Sequence, residues 1–174
     1  MPTATIRYAC RPTKHGHVFA ATTERGVCML HVIEAKRRAA ALAELRRRHP
    51  GATLVEDEAA LAEVFEQVDV FADGNGASEP VLDLHGTPFQ QKVWRTLQKI
   101  PAGTTATYTE LARRAGVPKA VRAVASACAR NPVCLFVPCH RIVRLDGGLG
   151  GYGGAGGVEL KRRLLELEGA LTPA

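Results

Sequence analysis

A chain of 174 residues has room for one domain or two small ones and for a real hydrophobic core. Its 46% hydrophobic and 23% charged residues fit a globular protein, no apolar run reaches membrane-span length, and the N-terminus lacks the apolar core of a signal peptide, so a cytoplasmic protein is expected. The net charge of +6 is lopsided: residues 1–82 hold ten basic against eleven acidic side chains and residues 83–174 thirteen against six, joining a neutral module to a basic one suited to a polyanion such as nucleic acid.

The first module reads as α/β. Ile6–Cys10, His17–Ala21 and Val27–Ile33 are strand candidates, with Gly16 and Gly26 in the turns between them. The Ala/Arg-rich stretch Ala35–His49 predicts a helix stopped by Pro50-Gly51. Asp57–Val68 predicts a second helix, with acidic residues where the helix dipole favours them. The turn-rich segment 73–80 reads as a linker, giving an N-terminal domain at 1–80 and a second domain at 81–174.

The second module is mainly helical. Thr87-Pro88 predicts a helix start, after which Phe89, Val93, Trp94, Leu97 and Ile100 form one apolar stripe, ended by Pro101-Ala102-Gly103. A short helix at Thr109–Ala115 is stopped by Gly116, and Pro118 starts another that runs to Arg130. In the latter Val121, Val124, Ala125 and Cys128 form a core stripe, while the opposite face carries Lys119, Arg122, Ala123, Ser126 and Arg130. A short helix, a glycine turn and a basic helix make a helix-turn-helix. Its exposed face lacks the Asn, Gln and Glu that read base edges; small residues and cations favour contact with backbone and shape, and Arg122 is placed to occupy space in a base stack.

The most informative residues are Pro138-Cys139-His140-Arg141. The run Cys134–Val137 reads as a short buried strand, and Pro138 ends it because proline cannot donate to a ladder. Cys139 then stands beside a histidine and an arginine that favour the thiolate, which is the nucleophilic form. The five cysteines, at 10, 28, 128, 134 and 139, are odd in number and lack C-x-x-C spacing, so free thiols are expected. Cys10, Cys28, His31 and His85 fit no compact zinc motif, and no metal site is predicted.

In order along the chain, Thr87-Pro88-Phe89-Gln90-Gln91-Lys92-Val93-Trp94, Ile100-Pro101-Ala102-Gly103, Tyr108-Thr109-Glu110-Leu111-Ala112, Pro118-Lys119-Ala120-Val121-Arg122-Ala123-Val124, Asn131-Pro132, Pro138-Cys139-His140-Arg141 and Leu164-Leu165-Glu166-Leu167-Glu168-Gly169 form an ordered set over about residues 81–170. This set closely resembles the O6-alkylguanine-DNA alkyltransferases (methylated-DNA–protein-cysteine methyltransferases) of the Ada C-terminal and Ogt type. The resemblance implies an α+β protein: a ribonuclease-H-like α/β domain followed by a mainly helical domain with a winged-helix-like helix-turn-helix. It implies direct-reversal DNA repair, with Cys139 taking the alkyl group from O6-alkylguanine, and from O4-alkylthymine as well, as a permanent thioether.

Further roles follow from the resemblance residue by residue. His140 would act as base through a bridging water, oriented by Glu168. Asn131 would tie the recognition helix to the active-site segment. Tyr108 would crowd the target phosphate and donate to the base, and Arg122 would fill the gap left by the flipped nucleotide. Thr109, Lys119, Ser126 and Arg130 would contact DNA; Tyr152, Val137 and Pro138 would line the pocket. No metal or organic cofactor is needed, the partner would be double-stranded DNA bearing the lesion, no membrane is involved, and a monomer is expected.

The glycine-rich segment 147–157 is about two residues longer than the family's usual loop. Counting from Cys139 by the usual spacing reaches Glu166, whereas the Leu-Leu-x-x-Glu-Gly pattern selects Glu168, which is preferred because glycines inserted in a loop leave the next helix intact. A non-catalytic module that recognises alkylated DNA is the alternative; relatives of that kind lack the cysteine that Cys139 supplies. A cysteine hydrolase is disfavoured because neighbours on an extended segment point to opposite faces.

Overall fold

Strand β2 (Gly16–Thr23) pairs antiparallel with both β1 (Thr5–Thr13) and β3 (Gly26–Ile33), and its Val18–Ala21 run is buried on both faces. This computed structural model describes residues 3–72 and 78–173. The chain divides into two units, Met1–His85 and Gly86–Ala174.

In the first unit β4 (Thr53–Glu56) lies parallel to β1, giving the order β3-β2-β1-β4. The predicted helices each begin later than their sequence signals, after a 3-10 turn. Ala35–Arg37 precedes α1 (Arg38–Arg48), and Ala59–Leu61 precedes α2 (Ala62–Ala72). Asp57 accepts from the Ala60 N–H at 3.0 Å, satisfying a donor that the start of a helix leaves free. Ala41 and Leu45 of α1 close over Ile6, Phe19 and Met29 to form the core.

The segment after α2 returns to β3: Val27 N–H donates to Val81 O, and Asp83 N–H donates to Val27 O. A Cβ on Gly26 would stand 2.4 Å from Val81 O, and Gly26 has φ +149°, so only glycine suits that crossing. Of the predicted linker at 73–80, residues 73–77 lie outside the described residues. Among the described residues no helix is long and apolar enough to cross a membrane.

In the second unit α3 (Pro88–Leu97) starts at a capping box, in which the Thr87 side chain accepts from Gln90 N–H and the Gln90 side chain accepts from Thr87 N–H. It buries Val93, Trp94 and Leu97, and Trp94 Nε1 donates to Ala127 O at 2.9 Å. The stripe continues to a buried Ile100, but the helix itself stops at Leu97. A second capping box, Thr107 with Glu110, opens α4 (Tyr108–Arg114). Gly116, at φ +73°, turns the chain, and α5 (Val121–Ala129) follows. It begins three residues after Pro118, because Ala120 N–H is engaged in a turn with Val117 O.

Short β5 (Ala106–Thr107) and β6 (Ile142–Val143) pair in parallel, bringing the start of α4 beside the residues after Cys139. Helix α6 (Gly157–Leu167) closes the unit, burying Leu160, Lys161, Leu164 and Leu165.

The predicted strand at Cys134–Val137 is not present. Those residues form a turn in which Phe136 N–H bonds Cys134 O and Val137 N–H bonds Val133 O. Leu135 has φ +74°, the only positive φ outside glycine among the described residues. The apolar run is buried, as a strand would be, but its Phe136 and Val137 N–H groups bond within the turn rather than along a ladder.

Candidate active site

Asn131 organises the turn that carries Cys139. Its Oδ1 accepts from Val133 N–H at 3.0 Å, and its Nδ2 donates to Val137 O at 2.7 Å and to Cys139 Sγ at 3.2 Å. One buried amide thereby fixes both ends of the loop and points a donor at the sulfur. Asn131→Ala removes these bonds and strands the Val133 N–H, so it is expected to destabilise the fold by about 3 kcal/mol. Urea denaturation at neutral pH measures this; a loss under about 1 kcal/mol would mean that the turn holds without Asn131.

Cys139 opens a 3-10 turn, Cys139–Arg141, in place of the extended segment inferred from sequence. The argument from extended geometry against direct Cys139–His140 cooperation therefore falls away. A hydrogen bond from the Cys134 thiol, with help from Asn131 and the nearby Lys161, holds the Cys139 thiol below its ordinary range despite burial. The sequence reading placed Cys134 in a strand and gave it no role. Cys134→Ala is expected to raise the pH midpoint for Cys139 alkylation by a small iodoacetamide, measured as labelling rate against pH. An unchanged midpoint would remove Cys134 from the activation of Cys139.

His140 is fully buried, with Nε2 2.8 Å from Glu168 Oε1. Arg141 grips the same carboxylate with two donors, Nη2 to Oε1 at 2.7 Å and Nε to Oε2 at 3.0 Å, and also donates Nη1 to Ile100 O at 2.6 Å. Of the two glutamates left open by the loop length, Glu168 makes these contacts. Burial pulls the His140 pKa down, against the opposing influence of Glu168, so the ring is suited to the neutral, proton-accepting form. For Glu168, burial raises the pKa, but hydrogen bonds from His140 and Arg141 outweigh it and bring the carboxyl to about 2.

Lys161 is also fully buried, donating Nζ to Ile142 O at 2.5 Å. Burial lowers its pKa, while Cys139 and Cys128 oppose that shift. The sequence reading passed over it, although its place among Leu160, Leu164 and Leu165 on the apolar stripe of α6 was the available signal.

Tyr108, the first residue of α4, has its phenol pKa raised by burial and then by the nearby Cys128 and Cys139. The Tyr152 phenol pKa is raised as well, by burial first and then by Cys134, Cys139 and Glu168. Tyr152 Oη is buried and without a hydrogen-bond partner among the described residues. Val137 and Pro138, which immediately precede Cys139 in the chain, are buried.

The residues expected to meet DNA lie elsewhere in the same unit. Thr109 is exposed on α4; Arg122 and Ser126 are exposed on α5; Lys119 and Arg130 are exposed just before and after it. Among the described residues no group of three His, Cys, Asp or Glu side chains has the geometry to hold a metal ion. The four zinc candidates considered from sequence have other contacts. His85 pairs with Asp83 at 3.0 Å, His31 lies 3.9 Å from Glu44, Cys28 donates to Ala21 O, and Cys10 feels Arg38 and Glu56.

Fold and site together define an α+β protein in which a cysteine with a lowered thiol pKa precedes a buried His–Glu–Arg cluster. Residues 88–170 match the family described as 6-O-methylguanine DNA methyltransferase, DNA binding domain. The Mycobacterium bovis methylated-DNA–protein-cysteine methyltransferase is 44% identical over 119 residues, covering 68% of this chain and 71% of that protein. The Escherichia coli bifunctional transcriptional activator/DNA repair enzyme Ada is 42% identical over 168 residues, which is 94% of this chain. This chain spans 45% of the length of that Ada protein and of its Salmonella typhimurium counterpart.

Among solved structures, the Mycobacterium tuberculosis O6-methylguanine methyltransferase superposes with TM-score 0.78 at 34% identity, covering 97% of this chain and 96% of that one. The OGT of the same organism in complex with DNA gives 0.75 at 35% identity, with 98% and 96% coverage. The chain belongs to the methylated-DNA–protein-cysteine methyltransferase family.

Proposed function

We propose that this chain repairs alkylated DNA by direct reversal, as a single-use acceptor of the alkyl group on guanine O6. The observation that carries the reading is Cys139, with donors from Cys134 and Asn131 on its sulfur, next to His140 held by Glu168. The Cys139 thiolate attacks the alkyl carbon; the C–S bond forms as the C–O bond breaks, and the electron pair leaves on the guanine oxygen. His140 first takes the thiol proton, through a water, and Glu168 stabilises the imidazolium that results.

Tyr108 donates to the departing base, and Tyr152 lines the pocket with Val137 and Pro138. The free Tyr152 hydroxyl is a polar group that a bound base would satisfy. A thioether offers no leaving group for water, so the thiol is not regenerated.

The reading extends to DNA. Helices α4 and α5 act as a helix-turn-helix within a winged-helix-like domain at 81–174, and the sheet order of the first unit accords with a ribonuclease-H-like domain at 1–80. Thr109, Lys119, Ser126 and Arg130 hold the backbone, while Arg122 enters the stack as the damaged nucleotide swings out toward Cys139. O4-alkylthymine is a second substrate, and the protein works as a cytoplasmic monomer without a cofactor. Titrating excess lesion-bearing duplex with limiting protein tests the reading: repair should stop at one lesion per chain, whereas continued turnover would contradict it.

A further inference from the structure

Outside the site, the second unit has a cleft of about 450 Å³ between α3 and the end of α4, and four cations line it: Lys92, Arg95, Lys99 and Arg114. No carboxylate and no aromatic side chain shares the lining. None of the four forms an ion pair within 4 Å of a carboxylate among the described residues. Basic side chains on a soluble helix are commonly spread among acidic ones, as Arg48 is with Glu44 on α1, but the residues of α3 include no Asp or Glu.

Three of these cations lie in register. Lys92, Arg95 and Lys99 fall at i, i+3 and i+7 on the exposed side of α3, opposite Val93, Trp94 and Leu97. Position 99 lies just past the last helical turn, so the row spans roughly 10 Å at 1.5 Å rise per residue, the axial length of about three nucleotides of one strand. The row also connects with the α4–α5 turn: a Cβ on Gly116 would lie 3.6 Å from Lys92 Nζ, and Lys119 follows three residues later. A lining without aromatic rings or an apolar floor suits phosphates rather than bases or an aliphatic ligand.

We infer that this cleft is a second DNA-backbone site, which takes the phosphates flanking the stretch held by α4 and α5 and so lengthens the footprint on the duplex. The inference rests on the DNA-repair reading above. The cleft holds the duplex in register while α5 and Arg122 work on the lesion, and it contributes no atom to the alkyl transfer.

The test compares the full chain with K92Q/R95Q/K99Q, measuring affinity against salt for an O6-methylguanine duplex of about 24 base pairs and for one of about 10 base pairs, a single helical turn. On the long duplex the variant should lose about 2 to 3 from the slope of log affinity against log salt and bind at least about tenfold more weakly at 100 mM salt. On the short duplex the two proteins should differ by less than about threefold, since flanking phosphates are missing. Alkylation of Cys139 by the free O6-methylguanine base should proceed at the same rate in both, showing that fold and site are intact.

An unchanged slope on the long duplex, with wild-type binding normal, would overturn the cleft alone and leave it to an acidic protein partner. Absence of wild-type binding to either duplex would overturn the repair reading and the cleft together. An equal loss on both duplexes would also overturn the inference, by placing these cations within the α4–α5 footprint.

Discussion

Cys139→Ala is expected to bind lesion-bearing duplex as tightly as the wild type, within about twofold, and to transfer no alkyl group. The reasoning is chemical. The alkyl carbon needs a polarisable anionic nucleophile, and the two other cysteines of this region are not equivalent to Cys139. Burial and the neighbouring Cys139 push the Cys128 thiol up to about 12, and Cys134 serves as a donor to Cys139. DNA contacts are assigned to α4, α5 and their flanks, whose exposed side chains do not include the sulfur. Gel-shift titration and quantification of remaining lesion separate the two properties. Transfer surviving in Cys139→Ala would move the acceptor to another residue; loss of binding together with transfer would make Cys139 structural.

The second large effect belongs to Glu168. Its carboxylate is 7% exposed and is shared between His140 and Arg141, whose guanidinium is also buried. Glu168→Gln keeps the shape but leaves the Arg141 charge without its counter-ion, a class of change that destabilises by about 3–5 kcal/mol. It also removes the anion that orients His140, so transfer should slow by about 100-fold or more in whatever protein remains folded.

The pH dependence gives a sharper readout. The folded carboxyl titrates near 2 against an ordinary 4.5, so the unfolded chain binds the proton more readily. The stabilisation is therefore full above about pH 4.5 and is lost as the pH falls toward 2, amounting to about 3 kcal/mol. His140 acts in the same direction at higher pH. Burial lowers its pKa, so protonation favours the unfolded chain as the pH falls below the ordinary histidine value of 6.5. Urea midpoints from pH 7 to pH 2.5 should decline in the wild type, and in Glu168→Gln the portion below about pH 4.5 should flatten. Parallel curves for the two proteins would remove Glu168 as the titrating group.

Much of the second unit was legible because its signals are local. Thr87 announces a helix start by capping geometry that a four-residue window contains, and Gly116 marks the turn before α5, whereas the start predicted at Thr109 lies one residue inside α4, which Thr107 caps. The motif around Cys139 was equally plain. What local patterns missed was set at a distance. Strands β4, β5 and β6 are two to four residues long and pair in parallel with strands remote in sequence, so no alternation reveals them.

Cys134–Val137 has the composition of a buried strand, yet Asn131 closes the loop and Leu135 takes a left-handed conformation that apolar composition does not disclose. Lys161 is followed by Arg162 and Arg163, so charge alone does not set it apart; only the phase of the leucines around it places it inside. Spacing from Cys139 and the Leu-Leu-x-x-Glu-Gly pattern gave different glutamates, and the choice depended on where the extra glycines enter the loop before α6.

The most direct measurement is to mix the protein with a duplex carrying one O6-methylguanine, digest it, and determine the mass of every cysteine peptide. The account predicts one added methyl group, confined to the peptide containing Cys139, and an amount of restored guanine equal to the amount of methylated protein. A methyl group on Cys128 or Cys134, or restored guanine with Cys139 unmodified, would contradict it.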